Sequence, residues 1–357
     1  MKLMRQFFCI INLFFIYNCC YAQTLGGSNT YNFLRFPPSP QLAAHGGLNI
    51  SHAGYDLSLA FQNPAQLDSS MHSQMVANFN SLYDGLKNYQ WMLAYRSEKL
   101  QTNFAASILF FDYGTTAQTD ASGNILGSFK PRDFSIQITA SRKYLTKWNY
   151  GISAKFISSN YGLYRSSAIA ADVGVLYKDS ERLLQIGLVT MNMGGQLKKY
   201  NVAVPEELPF DVVFGISKQL EKAPIKFSLT AHHLHQFNIF YNDSSFNNDN
   251  GFPNLSTEKF TVEKLFQHFI FSTQLLLGQR VEVTVGYNVM RRTQLRITNI
   301  PNGLTGLSLG VGAILPKMQL RYARSYFQNT TAYNQIGINL PLNKYFGLGK
   351  WGEKNGW

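Results

Sequence analysis

A period-two alternation of apolar and polar residues, recurring along the chain, constrains it more than any other feature. In one, Val281, Val283, Val285, Tyr287 and Val289 alternate with Glu282, Thr284, Gly286 and Asn288. Phe134, Ile136, Ile138 and Ala140 alternate likewise with Ser135, Gln137, Thr139 and Ser141. Trp148, Tyr150, Ile152, Ala154 and Phe156 alternate with Asn149, Gly151, Ser153 and Lys155. A period of two sorts residues onto the two faces of a strand, here one apolar and aromatic, the other small and polar. Such strands suit a soluble sandwich or a membrane barrel.

The connections decide between the two. Strands are expected over 74–82, 89–96, 102–113, 134–143, 148–157, 166–178, 183–193, 210–218, 225–234, 268–277, 281–290, 307–315, 318–327 and 333–340. Links 97–101, 144–147, 179–182, 219–224, 278–280 and 316–317 are short, and they alternate strictly with longer ones such as 114–133, 194–209, 235–267 and 291–306. A transmembrane barrel has this asymmetry, with tight periplasmic turns and longer outer loops, whereas a sandwich has no reason for it. The even strand number returns both chain ends to the periplasm. The expected fold class is therefore all-β, a transmembrane antiparallel β-barrel of about 14 strands spanning 74–340. Tyr89, Trp91, Tyr95, Tyr144, Trp148, Tyr150, Tyr177, Tyr287 and Tyr322 lie near strand ends or on the apolar face, as residues of a membrane–water boundary do. No stretch after residue 22 approaches 18 apolar residues, so no transmembrane helix is expected.

Composition agrees. Charged residues make up 15% of the 357, against about 25% in an average soluble domain. Hydrophobic residues reach 45% and aromatics 14%, and collagen, coiled coil and disulfide scaffold are excluded. The net charge of +12 leaves acidic partners open.

Lys2 and Arg5, the apolar run Phe7 to Tyr17, and Cys20-Tyr21-Ala22 read as a secretory signal over 1–22, cleaved after Ala22. Eleven apolar residues are too few to span a bilayer, and Tyr17-Asn18 argues against a lipoprotein signal at Cys19 or Cys20. All three cysteines lie in that segment, so the expected mature chain has none, and its charge is 12 − 2 = +10. Residues 23–73 differ from the strand-forming remainder, with Pro37, Pro38, Pro40, Gly46-Gly47 and the rigid Asn63-Pro64-Ala65 bend. This segment is expected to plug the lumen, because the inward strand faces carry few charges and leave space. A tail, 341–357, comes after the barrel.

Catalytic and metal chemistry were sought residue by residue. Gly306-Leu307-Ser308-Leu309-Gly310 matches a nucleophile elbow by letter, but strand alternation runs straight through Ser308, where the elbow needs a strand–turn–helix break. His232, His233 and His235 form the histidine cluster of the sequence, and His233 and His235 share a strand face. The nearest following carboxylate is Asp243, so polar residues at a strand end is the favoured reading over a metal site. Gly310-Val311-Gly312 lacks a phosphate-loop context and reads as close strand packing. Basic residues Lys198-Lys199, Arg291-Arg292, Arg296, Arg321 and Arg324 are scattered, which disfavours nucleic acid; several fall in expected outer loops, suited to anionic lipid headgroups or to solvent. No catalytic residue, cofactor or metal is expected.

Several runs resemble the PorQ family, outer-membrane proteins of the type IX secretion system of Bacteroidetes. They are Thr30-Tyr31-Asn32-Phe33-Leu34, then Pro38 to Ser51, then Phe61-Gln62-Asn63-Pro64-Ala65. Phe110-Phe111-Asp112-Tyr113-Gly114, Asp120 to Asn124, Lys155 to Ser159, Glu207-Leu208-Pro209-Phe210, Gly286-Tyr287-Asn288 and Ser325-Tyr326 also fit, so the likeness covers nearly the whole mature chain. The tail after Pro341 departs from it. The resemblance implies a FadL-like barrel whose N-terminal hatch carries Asn63, Pro64 and Ala65. It implies a non-enzymatic role in a surface attachment complex, with a PorZ-like protein as partner, PorU and PorV nearby, and cargo joined to anionic lipopolysaccharide. A FadL-like channel for hydrophobic molecules is the alternative. Loop 235–267, 33 residues long, is the candidate docking loop, with Phe237, Phe240, Tyr241, Phe246 and Phe252 among Asn and Asp. Equally open is a short helix over 258–267 that packs on the barrel mouth.

Overall fold

A strand with one apolar face and two unpaired edges is unstable in a bilayer, because lone backbone N–H and C=O groups cost several kcal/mol in hydrocarbon. The computed structural model meets this constraint by closure. It describes residues 29–52, 54–81, 85–120, 122–200, 206–239, 261–278, 280–294, 303–327 and 332–346. The barrel consists of β1 (Gln74–Ser81), β2 (Lys87–Ser97), β3 (Thr102–Asp112), β6 (Arg132–Tyr144), β7 (Trp148–Tyr161), β8 (Tyr164–Asp179), β9 (Leu184–Lys198), β10 (Asp211–Gln219), β11 (Ile225–Ala231), β12 (Phe269–Leu277), β13 (Val281–Asn288), β14 (Leu307–Ile314), β15 (Gln319–Tyr326) and β16 (Ala332–Pro341). Strands β4 (Thr116–Thr119) and β5 (Ile125–Phe129) form a separate hairpin. Each barrel strand pairs antiparallel with its neighbour, and β1 closes on β16 from Gln74 opposite Pro341 to Ser81 opposite Asn334.

All fourteen expected barrel strands are present, with ends that differ by a few residues. Two features depart from the expectation. The link expected over 158–165 is only Gly162-Leu163, since Tyr161 pairs with Tyr164 and Ser158–Asn160 continue the ladder. Gly162 supplies the positive φ (70°) that so tight a turn needs. The long–short alternation is therefore not strict. The link 114–133 contains the β4–β5 hairpin, whose turn is organised by Asp120 Oδ1 accepting the Ser122 and Asn124 backbone N–H groups at 2.9 and 2.8 Å.

The outer face carries the apolar set. Ile136, Ile138, Ile152, Phe156, Ile169 and Leu188 are exposed side chains of mid-strand positions. At the short-turn rim Tyr95, Tyr144, Trp148 and Tyr150 stand exposed, and Trp148 packs on Tyr177 with centroids 5.0 Å apart. Toward the other rim Phe79, Tyr89 and Phe110 form a tilted row at 5.4 and 6.3 Å. These are two aromatic girdles around an apolar band, the exterior of a membrane-spanning barrel. After β16, α4 (Asn343–Phe346) folds back on the β14–β15 turn, where the Tyr345 hydroxyl donates to the Lys317 carbonyl at 3.0 Å. Residues 1–22, read as the signal, and 347–357 of the tail lie outside the described residues.

The topology is open to direct test, since the chain's three cysteines are all in 1–22. In intact cells, Ser122→Cys in the hairpin should react with a membrane-impermeant maleimide, and Glu181→Cys in the opposite turn should not. A labelled Glu181→Cys would invert the barrel.

Candidate functional site

Among the described residues five short helical turns precede β1, and four of them begin at a residue whose side chain caps it. Ser39 accepts the Leu42 N–H at 3.3 Å and starts α1 (Pro40–Ala44), with Pro40 at the first helical position. Asp56 accepts the Ser58 N–H at 2.9 Å, Asn63 the Ala65 N–H at 3.0 Å, and Asp68 the Ser70 N–H at 3.0 Å. Such caps let short turns hold without long helical ladders. Asn63 is extended (φ −131°, ψ 107°), and its amide also donates to the Ile50 carbonyl at 2.7 Å.

The segment runs through the barrel from end to end. Thr30 donates to the Glu207 carbonyl at the long-link rim (2.9 Å), and Leu342, just beyond β16, donates to Ser73 at the opposite rim (2.7 Å). Between them the segment packs against strands around the wall, so the described residues between Thr30 and His72 occupy the lumen. Near the long-link rim, Tyr31, Phe33 and Leu34 are buried with the inward Leu109, Phe111, Ile157, Ala168, Ala170 and Tyr333. Near the short-turn rim, Leu57, Ala60, Leu67 and Met71 are buried with Val76, Met92, Ala94 and Ala105.

Glycines in the wall make room for this. A Cβ on Gly151 would lie 2.5 Å from the Pro64 carbonyl carbon, and on Gly286 2.6 Å from that of His45. Cβ atoms on Gly174, Gly187 and Gly310 would overlap Asn63, Ile50 and Ala44 respectively. Any larger residue there must displace part of the plug. Gly310 is thus explained by the plug, which corrects the expectation of close strand packing there, whereas Gly312 faces the Glu282 side chain directly opposite on β13.

Charge is sparse inside and mostly paired. Arg321 Nε donates to Glu282 at 2.6 Å and its Nη1 lies 3.1 Å from Asp56 of the plug, all three nearly fully buried. Lys155 pairs with Asp172 at 2.7 Å. Asp133 accepts the Tyr113 and Tyr161 hydroxyls at 2.5 and 2.8 Å. His45 contacts Ser272 Oγ at 2.8 Å and packs on His52, ring centroids 4.6 Å apart. Burial pushes the His45 imidazole down to about 3 and His52 well below its ordinary value, so these two rings are neutral at neutral pH.

The scattered basic residues divide between the interior and the surface. Arg321 points into the lumen, and Arg291, in α3 (Val289–Gln294), is buried against the Phe327 ring at 4.0 Å. Neither is available to headgroups, while Arg324 and Lys198 are exposed. Arg296 lies outside the described residues. Ser308 is buried on the lumen face of an unbroken strand between outward Leu307 and Leu309. His232 and His233 do have a carboxylate beside them, Asp211 of the neighbouring strand, a partner that counting forward to Asp243 missed. Burial holds His233 and His235 below their ordinary values.

Of the docking residues, Phe237 is exposed and stacks on His268 at 6.0 Å. Phe240, Tyr241, Phe246 and Phe252 lie outside the described residues. A short helix does form near the end of this link, α2 (Val262–Gln267), with Phe266 half exposed.

No family model matches the chain, and no curated protein does. Among solved structures it is similar to a mutant of the TodX monoaromatic hydrocarbon channel, at 12% identity over 84% of this chain and 97% of that one (TM-score 0.48). The CymD monoaromatic hydrocarbon channel is 13% identical over 87% and 97% (0.46), and a Pseudomonas aeruginosa FadL homologue 10% over 84% and 97% (0.42). The closed fourteen-strand barrel, with its apolar band and girdles, is an outer-membrane protein.

Arg321 gives the sharpest test of how the plug is held. Arg321→Met should lower unfolding stability in detergent by about 3–5 kcal/mol, since it leaves Asp56 and Glu282 buried without a counter-charge. Adding Asp56→Asn and Glu282→Gln should recover much of the loss. An unchanged denaturation midpoint in the single variant would contradict the pairing.

Proposed function

We propose that this chain is a PorQ-family component of a type IX secretion attachment complex, a barrel that holds a PorZ-like protein at the cell surface. PorU and PorV would stand nearby, where cargo is joined to anionic lipopolysaccharide. The resemblance in residues 30–51 and 61–65 motivates the assignment, and these are the residues that thread the lumen. The observation that carries the anchoring role is the occupied lumen. A plug tied to the wall by a buried Asp56–Arg321–Glu282 network, and seated against wall glycines, suits a fixed support better than a conduit. The long-link rim offers protein surface for a partner: the β4–β5 hairpin, with Ile125 and Leu126 exposed, and Phe237 at the root of link 232–268. We assign the chain no catalytic role and no nucleic-acid partner.

The second reading, a FadL-like channel for hydrophobic molecules, draws on one feature. Inward Leu109, Phe111 and Ile157 give the upper lumen an apolar lining. Plug side chains fill it, so transport would require the plug to leave.

Replacing 243–256 with a short Gly-Ser linker should leave barrel insertion and abundance unchanged but release the PorZ-like partner into the medium. Full surface retention of the partner, at normal barrel levels, would refute the docking role of this loop.

A further inference from the structure

A second constellation lies at the long-link rim, where β10 begins and β11 ends. In a regular strand, the side chains of adjacent residues point to opposite faces. His233 has φ 55°, a left-handed conformation uncommon outside glycine, and the alternation breaks there. The rings of His232 and His233 consequently converge, centroids 4.7 Å apart and Nδ1 atoms at 2.5 Å. Asp211 is brought onto the pair from the neighbouring strand. Its Oδ1 accepts the His233 backbone N–H at 2.6 Å, which fixes the carboxylate, and its Oδ2 lies 3.5 Å from His233 Nδ1. One donor atom from each of Asp211, His232 and His233 lies within 4.8 Å of the others. His235 adds a fourth group, its Nδ1 3.9 Å from Asp211 Oδ1.

Asp211, His232 and His233 are largely withdrawn from water, and His235 stands at the exposed side of the cluster. His232 is buried, with its Nε2 lacking a hydrogen-bond partner, and the side chains of His233 and Asp211 are 12% and 13% exposed. Among the described residues no Lys or Arg comes within ion-pair distance of Asp211, although Arg35 is close enough for its charge to be felt. His268 is spoken for: its two ring nitrogens lie 2.7 and 3.0 Å from the carbonyls of His232 and Phe237.

We propose that Asp211, His232 and His233, with His235 as a fourth group, bind a divalent transition metal of the zinc class. Two imidazoles and one carboxylate are a common zinc donor set, and nitrogen and oxygen ligands at about 2.0–2.2 Å fit a cluster of this size. Binding would open the Nδ1–Nδ1 contact by roughly 1 Å, from hydrogen-bond distance to that of two ligands on one ion. The ion would tie the root of link 232–268 to the barrel wall.

The test uses the full mature chain, folded in detergent and checked by its heat-modifiable gel migration. After dialysis against micromolar Zn²⁺ and then metal-free buffer, elemental analysis should find one zinc per barrel. Co²⁺ in its place should give the visible absorption bands of a low-symmetry nitrogen–oxygen site. Asp211→Asn and His233→Ala should each weaken binding about tenfold or more, and His72→Ala, far from the site, should not. Because Asp211 also orders a strand end, His233→Gln, close in size and polarity, serves as a second variant. A wild-type barrel that holds no zinc and shows no Co²⁺ bands, or folded variants with unchanged affinity, would overturn the proposal. Retention of a surface partner is a separate readout, so failure here leaves the anchoring reading to its own test.

Discussion

A backbone amide left unpaired in hydrocarbon costs several kcal/mol, and no side chain can offset a whole strand edge of them. In this chain that cost closes β1 onto β16 and leaves fourteen strands with no free edge in the barrel wall. Closure in turn creates an interior. A ring of this many strands encloses more space than its own inward side chains fill. The wall residues facing inward are mostly Ser, Thr, Asn, Gln and Gly, too small or too polar to pack a core among themselves. The segment before β1 supplies the missing volume.

The plug is joined to the wall by three kinds of contact, each with its own consequence. Apolar packing at both ends, around Phe33 and Phe111 above and around Leu57 and Met92 below, is non-directional and supplies most of the burial. Glycines such as Gly151 and Gly286 let the plug backbone approach closely and so fix its position along the axis. The Asp56–Arg321–Glu282 network is directional and costly to break at its centre, because removing Arg321 leaves two buried carboxylates without a counter-charge. Together they describe a barrel that presents its rims and keeps its bore closed, and that division underlies the reading of this molecule as a support for a surface complex.

How much of the structure was legible in the sequence depended on which face met lipid. Outward positions such as Ile136, Ile138 and Ile152 must be apolar, so each barrel strand could be located in the sequence, with its ends off by a few residues. The β4–β5 hairpin escaped because all of Thr116–Thr119 is exposed to water and no alternation is imposed. The Gly162 turn escaped for the same reason, since Ser158–Asn160 continue a strand above the apolar band. Inside, the informative pairs lie far apart in the chain. Asp56 meets Arg321, and Asp211 meets His233, only because strands bring them together. One signal was present and unread: glycine recurs at inward phases of β7, β8, β9, β13, β14 and β16, and glycine within a strand marks a close approach.

The central claim, that the lumen is closed by its own N-terminal segment, is tested most directly by ion conductance in planar bilayers. The intact barrel is predicted to insert without conducting steps, and a chain lacking 23–73 to insert with large, steady ones. Intact barrels that conduct as freely as the plug-deleted chain would contradict the account.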